Sequence, residues 1–129
     1  MAFPTFSDKK AQQMNYLIIL NDPPYGTERS YNGLRLAISL TKRTDMEVKV
    51  FLMADSVACG KVGQKTPEGY YNLERMLKGL ATKRVPIGAC GTCLDARGLV
   101  EAELLTDIHR GSMEELTDWT IWADKVIVF

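Results

Sequence analysis

Asn15-Tyr16-Leu17-Ile18-Ile19-Leu20-Asn21-Asp22-Pro23-Pro24-Tyr25-Gly26 joins two signals whose succession decides the fold class. Its first half is a continuous apolar run rather than an alternating one, as expected for a strand covered on both faces. Its second half, with two prolines and a glycine, is a dense turn signal. Thr27 is placed to cap a helix, and Glu28 falls in its first turn, where a negative charge meets unpaired N–H groups. Beyond it Tyr31, Leu34, Ile38 and Leu36, Ala37, Leu40 make a wide apolar helix face suited to packing on the strand.

The same strand-then-helix unit recurs along the chain. Residues 48–53 read as a second strand, and residues 54–65 as a long connection rich in small side chains. Thr66-Pro67-Glu68 is a good helix start: a cap, a proline at the first helical position, then an acid. Tyr70, Leu73, Met76, Leu77 and Leu80 continue at helical spacing, with Glu74 and Lys78 as a favourable i,i+4 pair. Residues 85–89 form a third strand between a proline and a glycine. Residues 99–105, apolar with interspersed glutamates, resist assignment, and a short strand or turn is expected at 107–110. Ser112-Met113-Glu114-Glu115 matches a capping box, and Leu116, Trp119, Ile121, Trp122 and Ala123 follow as a helix with broad apolar cover. Residues 126–129 end the chain as a strand apolar enough to lie inside a sheet or to pair across an interface.

This alternation predicts a single-domain α/β fold: an open, mainly parallel five-stranded sheet with helices on both faces. The domain spans residues 14–129. Residues 1–13, polar and carrying Pro4 and the Lys9-Lys10 pair, read as a disordered tail or an extension left from expression. A chain of 129 residues buries a core without a disulfide scaffold. Sixteen basic and sixteen acidic side chains cancel, which argues against broad electrostatic binding of nucleic acid or an anionic membrane. No apolar run approaches a transmembrane span, and the amino terminus lacks the apolar core of a secretory signal. An odd number of cysteines, three, with two spaced C-x-x-C, suits a reducing cytoplasm.

In such sheets chemistry collects beyond the carboxyl ends of the strands. Three connections leave those ends here, at residues 21–27, 54–65 and 90–97. The last holds Cys90-Gly91-Thr92-Cys93-Leu94-Asp95-Ala96-Arg97-Gly98. Cys90 arrives at the end of the third strand, ahead of a turn of helix that Gly98 stops. Backbone N–H groups at that point favour an anion, a setting that makes a thiolate available as a nucleophile. Arg97 adds positive charge on the same side. Burial as a small hydrophobe is the alternative reading of Cys90. Cys90 and Cys93 also read as a redox pair, with Cys93 the resolving thiol.

Other chemistries find less support. A structural zinc site needs four ligands, and only Cys59 and His109 remain to complete one, so no metal is expected. Neither G-x-x-x-x-G-K-[S/T] nor G-x-G-x-x-G occurs, so no nucleotide cofactor is expected. Asp22, Glu28, Asp55 and Asp95 near the strand ends read as helix caps before acid–base groups. Trp119 and Trp122 read as core and interface residues. Cys59, in a mobile-looking connection, reads as an incidental thiol.

With these residues laid out, the chain resembles the DsrE/DsrF/TusD-like sulfur-relay family, most closely its YchN-like branch. The likeness runs from about residue 15 to the end. It is carried by Asn21-Asp22-Pro23-Pro24-Tyr25-Gly26-Thr27-Glu28, Leu34-Arg35-Leu36-Ala37-Ile38, Phe51-Leu52-Met53-Ala54-Asp55-Ser56-Val57, Gly63-Gln64-Lys65-Thr66-Pro67-Glu68-Gly69-Tyr70, the Cys90–Gly98 block, Trp119-Thr120 and Ala123-Asp124-Lys125-Val126. The resemblance implies an open α/β sheet assembled into compact homo-oligomers, hexamers or trimers, that exchange sulfur with donor and acceptor proteins in the cytoplasm. In relay members a cysteine eight residues before the glycine of an Arg-Gly pair carries a persulfide. Cys90 stands eight before Gly98. Cys93 is absent from some relay members and fits the YchN-like pattern; as a second thiol it would discharge a persulfide as sulfide. The implied function is that of a persulfide carrier, a possible sulfurtransferase. A thiol-disulfide oxidoreductase and a non-catalytic oligomeric binding module are the alternatives.

Overall fold

The computed structural model describes residues 13–129. Of the expected tail, residues 1–12 lie outside the described residues, and Gln13 is exposed. The elements run β1 (Met14–Leu20), α1 (Arg29–Thr41), β2 (Met46–Leu52), a 3-10 segment (Ala54–Gly60), α2 (Leu73–Thr82), β3 (Ile87–Cys90), α3 (Gly91–Ala96), a second 3-10 turn (Glu101–Glu103), β4 (Ile108–Gly111), α4 (Met113–Trp122) and β5 (Lys125–Val128). The strands form one sheet in the order β4-β3-β2-β1-β5. Every neighbouring pair is parallel. This is the open α/β sheet expected from the alternation of strands and helices.

Strand register divides the core into two layers. Ile18, Val50, Ile87 and Ile108 lie in one row across the sheet, and Leu20, Leu52 and Ala89 in another on the same face. All are buried, and α1 and α2 cover them with Leu34, Ala37, Leu73, Leu77 and Leu80. On the opposite face α4 covers the fully buried Phe51, with Trp119 meeting its ring edge-on at 5.8 Å. Strands buried from both sides are why β1 reads as an unbroken apolar run.

Several local expectations are corrected. Helix α1 begins at Arg29 with Glu28 in the cap position and no side-chain cap bond, so Glu28 is not in its first turn. The Thr27 hydroxyl instead donates to Asp22 Oδ2 at 2.9 Å and accepts only a long bond, 3.4 Å, from Arg29 N. Thr66-Pro67-Glu68 does not start α2. Tyr70 N bonds Pro67 O at 3.0 Å around Gly69, whose φ of +82° a helix cannot accommodate. Tyr70 therefore lies outside the helix and is exposed. The start passes to Leu73, capped by Asn72, whose Oδ1 accepts from Arg75 N at 3.0 Å.

Asn72 also donates from Nδ2 to Gln64 O at 3.2 Å, tying the incoming connection to the helix. Asn72→Ala is expected to cost about 1–2 kcal/mol, since one change removes a cap and leaves the Gln64 carbonyl short of a donor. Urea unfolding followed by circular dichroism measures it.

The connection after β2 is not the mobile loop expected. It forms the 3-10 segment that buries Ser56, Val57, Cys59 and Gly60. Its far end is pinned where Lys61 pairs with Leu104 and where Gln64 Nε2 donates to Cys59 O and Lys61 O at 2.8 and 2.9 Å. β5 is an edge strand, paired only with β1, and Val126 and Val128 are exposed, so it does not lie inside the sheet. Helix α4 buries no residue fully, and Met113 and Ile121 stand exposed, so its apolar cover is narrower than expected.

Candidate functional site: the Cys90 cleft

The connections that leave the neighbouring strands β3 and β4 take opposite faces of the sheet. The connection leaving β3 runs through α3 on the face that carries the 3-10 segment, whereas β4 leads into α4 on the other face. Neighbouring strands whose outgoing connections part to opposite faces leave a crevice at their carboxyl ends. A cavity of about 250 Å³ lies there, with Cys90, Phe51, Met53, Arg110, Ser112 and Leu116 in its wall. The sequence-singled cysteine thus ends β3 and borders the crevice.

Cys90 is buried, with 9% of its surface exposed, and occupies the cap position of α3, where its Sγ accepts from Cys93 N at 3.2 Å and meets Thr92 Oγ1 at 3.4 Å. Helix α3 has six residues, so the support for negative charge on sulfur is local: one N–H and one hydroxyl. Gly98, with φ +65°, follows the helix end as expected. Cys93 is half-buried, and its Sγ accepts from Ala54 N at 3.3 Å, at the start of the 3-10 segment. The two cysteines are disulfide-bonded, with Cα atoms 5.2 Å apart.

Arg97 is placed differently from its expected role. Its Nε and Nη2 both reach Asp55 Oδ1, at 3.0 and 2.8 Å, and Nη1 donates to Cys93 O at 3.0 Å. It clamps α3 to the 3-10 segment, with its charge committed to Asp55 and away from the cavity wall. The cation in that wall is Arg110, which sequence reasoning missed. Its Nη1 and Nη2 grip Asp95 Oδ1 and Oδ2 at 2.9 and 2.7 Å. That bidentate pair holds the Asp95 carboxyl below its usual pKa. The available signal is position: Arg110 sits near the carboxyl end of the short strand β4.

The remaining candidates separate. Cys59 is fully buried on the α1–α2 side, and burial pushes its thiol up to about 12. His109 faces the other side, where Nε2 and Glu115 Oε1 are hydrogen-bonded at 2.6 Å and its ring meets Trp119 edge-on. Ser112 caps α4 by accepting from Glu115 N at 3.1 Å, but the Glu115 carboxylate is spent on His109 rather than on closing the capping box. Among the described residues no three His, Cys, Asp or Glu side chains gather as a metal site. A larger cavity, about 430 Å³, lies between α1 and α2 beneath Tyr31, Tyr70 and Tyr71, and its wall holds neither a cysteine nor a carboxylate. Reactive side chains collect at the smaller one.

Comparison with known proteins agrees with this architecture. The family model described as DsrE/DsrF-like matches residues 14–129. Protein YchN of Escherichia coli K12 is 42% identical over 114 residues, covering 88% of this chain and 97% of that protein. Its crystal structure superposes with a TM-score of 0.85 at 41% identity, over 91% of this chain and all of that one. The sulfurtransferase TusD of Buchnera aphidicola from Acyrthosiphon pisum is 30% identical over 97 residues, 74% of this chain and 76% of that protein. With a family match over the whole described domain and relatives this similar, the chain belongs to the DsrE/DsrF-like family.

Proposed function

We propose that this protein is a sulfur-relay carrier that holds a persulfide on Cys90 and passes it to a protein thiol. The observation that carries the reading is Cys90 at the end of β3, bordering the crevice, with Cys93 N–H aimed at its sulfur. The likeness to a sulfurtransferase supports it. In loading, the Cys90 thiolate attacks the outer sulfur of a donor persulfide. A Cys90 S–S bond forms, the donor S–S bond breaks, and its electron pair leaves on the donor as a thiolate, while the transferred sulfur keeps its proton. Unloading repeats the exchange with an acceptor thiolate attacking the outer sulfur. Cys93 offers a second exit: its thiolate attacks the inner sulfur, closes the Cys90–Cys93 disulfide and releases hydrosulfide. Arg97 takes part by holding the α3 backbone at Cys93.

The Cys90–Cys93 disulfide favours a second reading, thiol-disulfide exchange. There an external dithiol reduces the pair and is itself oxidised. Under either reading the protein works as a homo-oligomer, a hexamer or trimer, in the cytoplasm. Exposed Met113, Ile121, Val126 and Val128 along α4 and β5 support assembly. No helix among the described residues is long and apolar enough to cross a membrane.

Intact mass after incubating the reduced protein with a cysteine desulfurase and free cysteine tests the proposal. Whole sulfur atoms are expected on wild type, more on Cys93→Ser, and none on Cys90→Ser. Loading that survives in Cys90→Ser and vanishes in Cys93→Ser reverses the two roles. No gain in any variant, with reversible loss of two hydrogens in wild type, transfers the function to disulfide exchange.

A further inference from the structure

Arg110 is built into the Cys90 cleft more closely than any other charged residue. On β4 it is in register with Ala89, and the next pair is Cys90 with Gly111. Its side chain crosses Gly91 so closely that a Cβ there would stand 2.7 Å from Nε and 2.8 Å from Cζ. It shares the cavity wall with Cys90. Nη1 and Nη2 are spent on Asp95, but Nε, the nitrogen nearest Gly91, donates to no protein group among the described residues. A guanidinium has five N–H donors, so the fork on Asp95 leaves capacity on the side facing the cysteine loop.

We infer that Arg110 is the positioning cation of the Cys90 sulfur, favouring its anionic thiolate or perthiolate form, and that Asp95 restrains this effect by holding the same guanidinium. The inference rests on the reading of Cys90 as the reacting sulfur. A neighbouring cation favours an anion and a neighbouring carboxylate opposes it, so the two partners act with opposite signs. Two other charged pairs flank the loop. Arg97 and Asp55 neutralise each other on the far side of α3, and Glu115 is bonded to His109 across β4. Glu101 is a further carboxylate near Arg110, outside the pair.

The test is the pH dependence of Cys90 alkylation by iodoacetamide in a Cys93→Ser background, where no disulfide forms. Arg110→Gln is expected to raise the midpoint by about one pH unit, slowing alkylation about tenfold below it. Asp95→Asn is expected to lower the midpoint, and Arg110→Lys, which keeps the charge, to restore most of the original value. A pair acting only as a mechanical brace would move both neutral variants in the same direction, and that result overturns the inference, as does an unchanged midpoint in both. Thermal melting of each variant establishes that it is folded. Should Arg110→Gln fail to fold, Gly91→Ala replaces it: every charge stays, the guanidinium is displaced, and the midpoint is again expected to rise. Sulfur loading measured alongside separates the two ideas. Opposite shifts in a protein that never loads sulfur would end the carrier reading and leave the role of Arg110 standing.

Discussion

Reduced native protein treated with iodoacetamide at pH 8 is expected to take up two adducts quickly and a third only on unfolding. Thiolate is the nucleophile, and burial raises Cys59 from an ordinary 9.0 to about 12, cutting its thiolate fraction at that pH about 1,000-fold. Full burial then closes the approach to what little thiolate remains. The same shift couples stability to pH. Unfolding returns Cys59 to solvent, so the unfolded chain releases its proton above about pH 9, whereas the folded chain keeps it until about pH 12. The stabilising contribution is therefore complete below pH 9 and is lost between 9 and 12, at about 1.4 kcal/mol per pH unit. Cys59→Ala removes that slope, and urea midpoints at pH 8 and pH 10 for the two proteins measure the difference. A third adduct on the folded protein would mean that the 3-10 segment opens and exposes the Cys59 thiol.

What could be read in advance followed the strength of local chemistry. Short apolar runs announced β1 and β3, because a strand covered on both faces leaves few polar positions to alternate, while β2 carries Glu47 and Lys49 ahead of its buried Val50-Phe51-Leu52 end. The Cys90 loop was legible for a related reason: a strand, a cysteine and a stopping glycine lie within a few residues of one another. Helix starts were less secure. Thr66-Pro67-Glu68 has every local credential, yet Gly69 at φ +82° turns the chain first and Asn72 takes the cap. Lateral strand order is written nowhere in a periodicity, so the apolar run at 126–129 left a place inside the sheet and pairing across an interface both open, and β5 forms an edge. Burial of Cys59 was hidden for the same reason: a connection rich in small residues looks mobile until Leu104 and Ile108 arrive from far along the chain to cover it. Arg110 was missed because its role depends on a pairing across β3 and β4 that local sequence does not encode.

Phe51→Ala is expected to destabilise the protein by about 3–5 kcal/mol, the usual cost of emptying an aromatic core position. The ring is fully buried and is held from three directions: Trp119 edge-on, and the backbones of Gly88 and Gly111. A Cβ at Gly111 would stand 2.8 Å from Phe51 Cε2, and one at Gly88 would stand 3.1 Å from the ring, so these glycines leave room for it. Removing the ring merges its volume with the 250 Å³ crevice beside Cys90. The void is then too polar at one end to stay dry and too apolar at the other to hold water well. A melting temperature lower by roughly 10–20 °C is expected by calorimetry. Phe51→Leu, which retains most of the buried area, should cost less than half as much. Ile121→Ser on the exposed face of α4 supplies the contrast, at about 0.5 kcal/mol or less within one subunit. A larger loss there that grows as the protein is diluted would locate a subunit contact on α4. The crevice would then lie beside an interface, since Met113 and Leu116 of the same helix already line it.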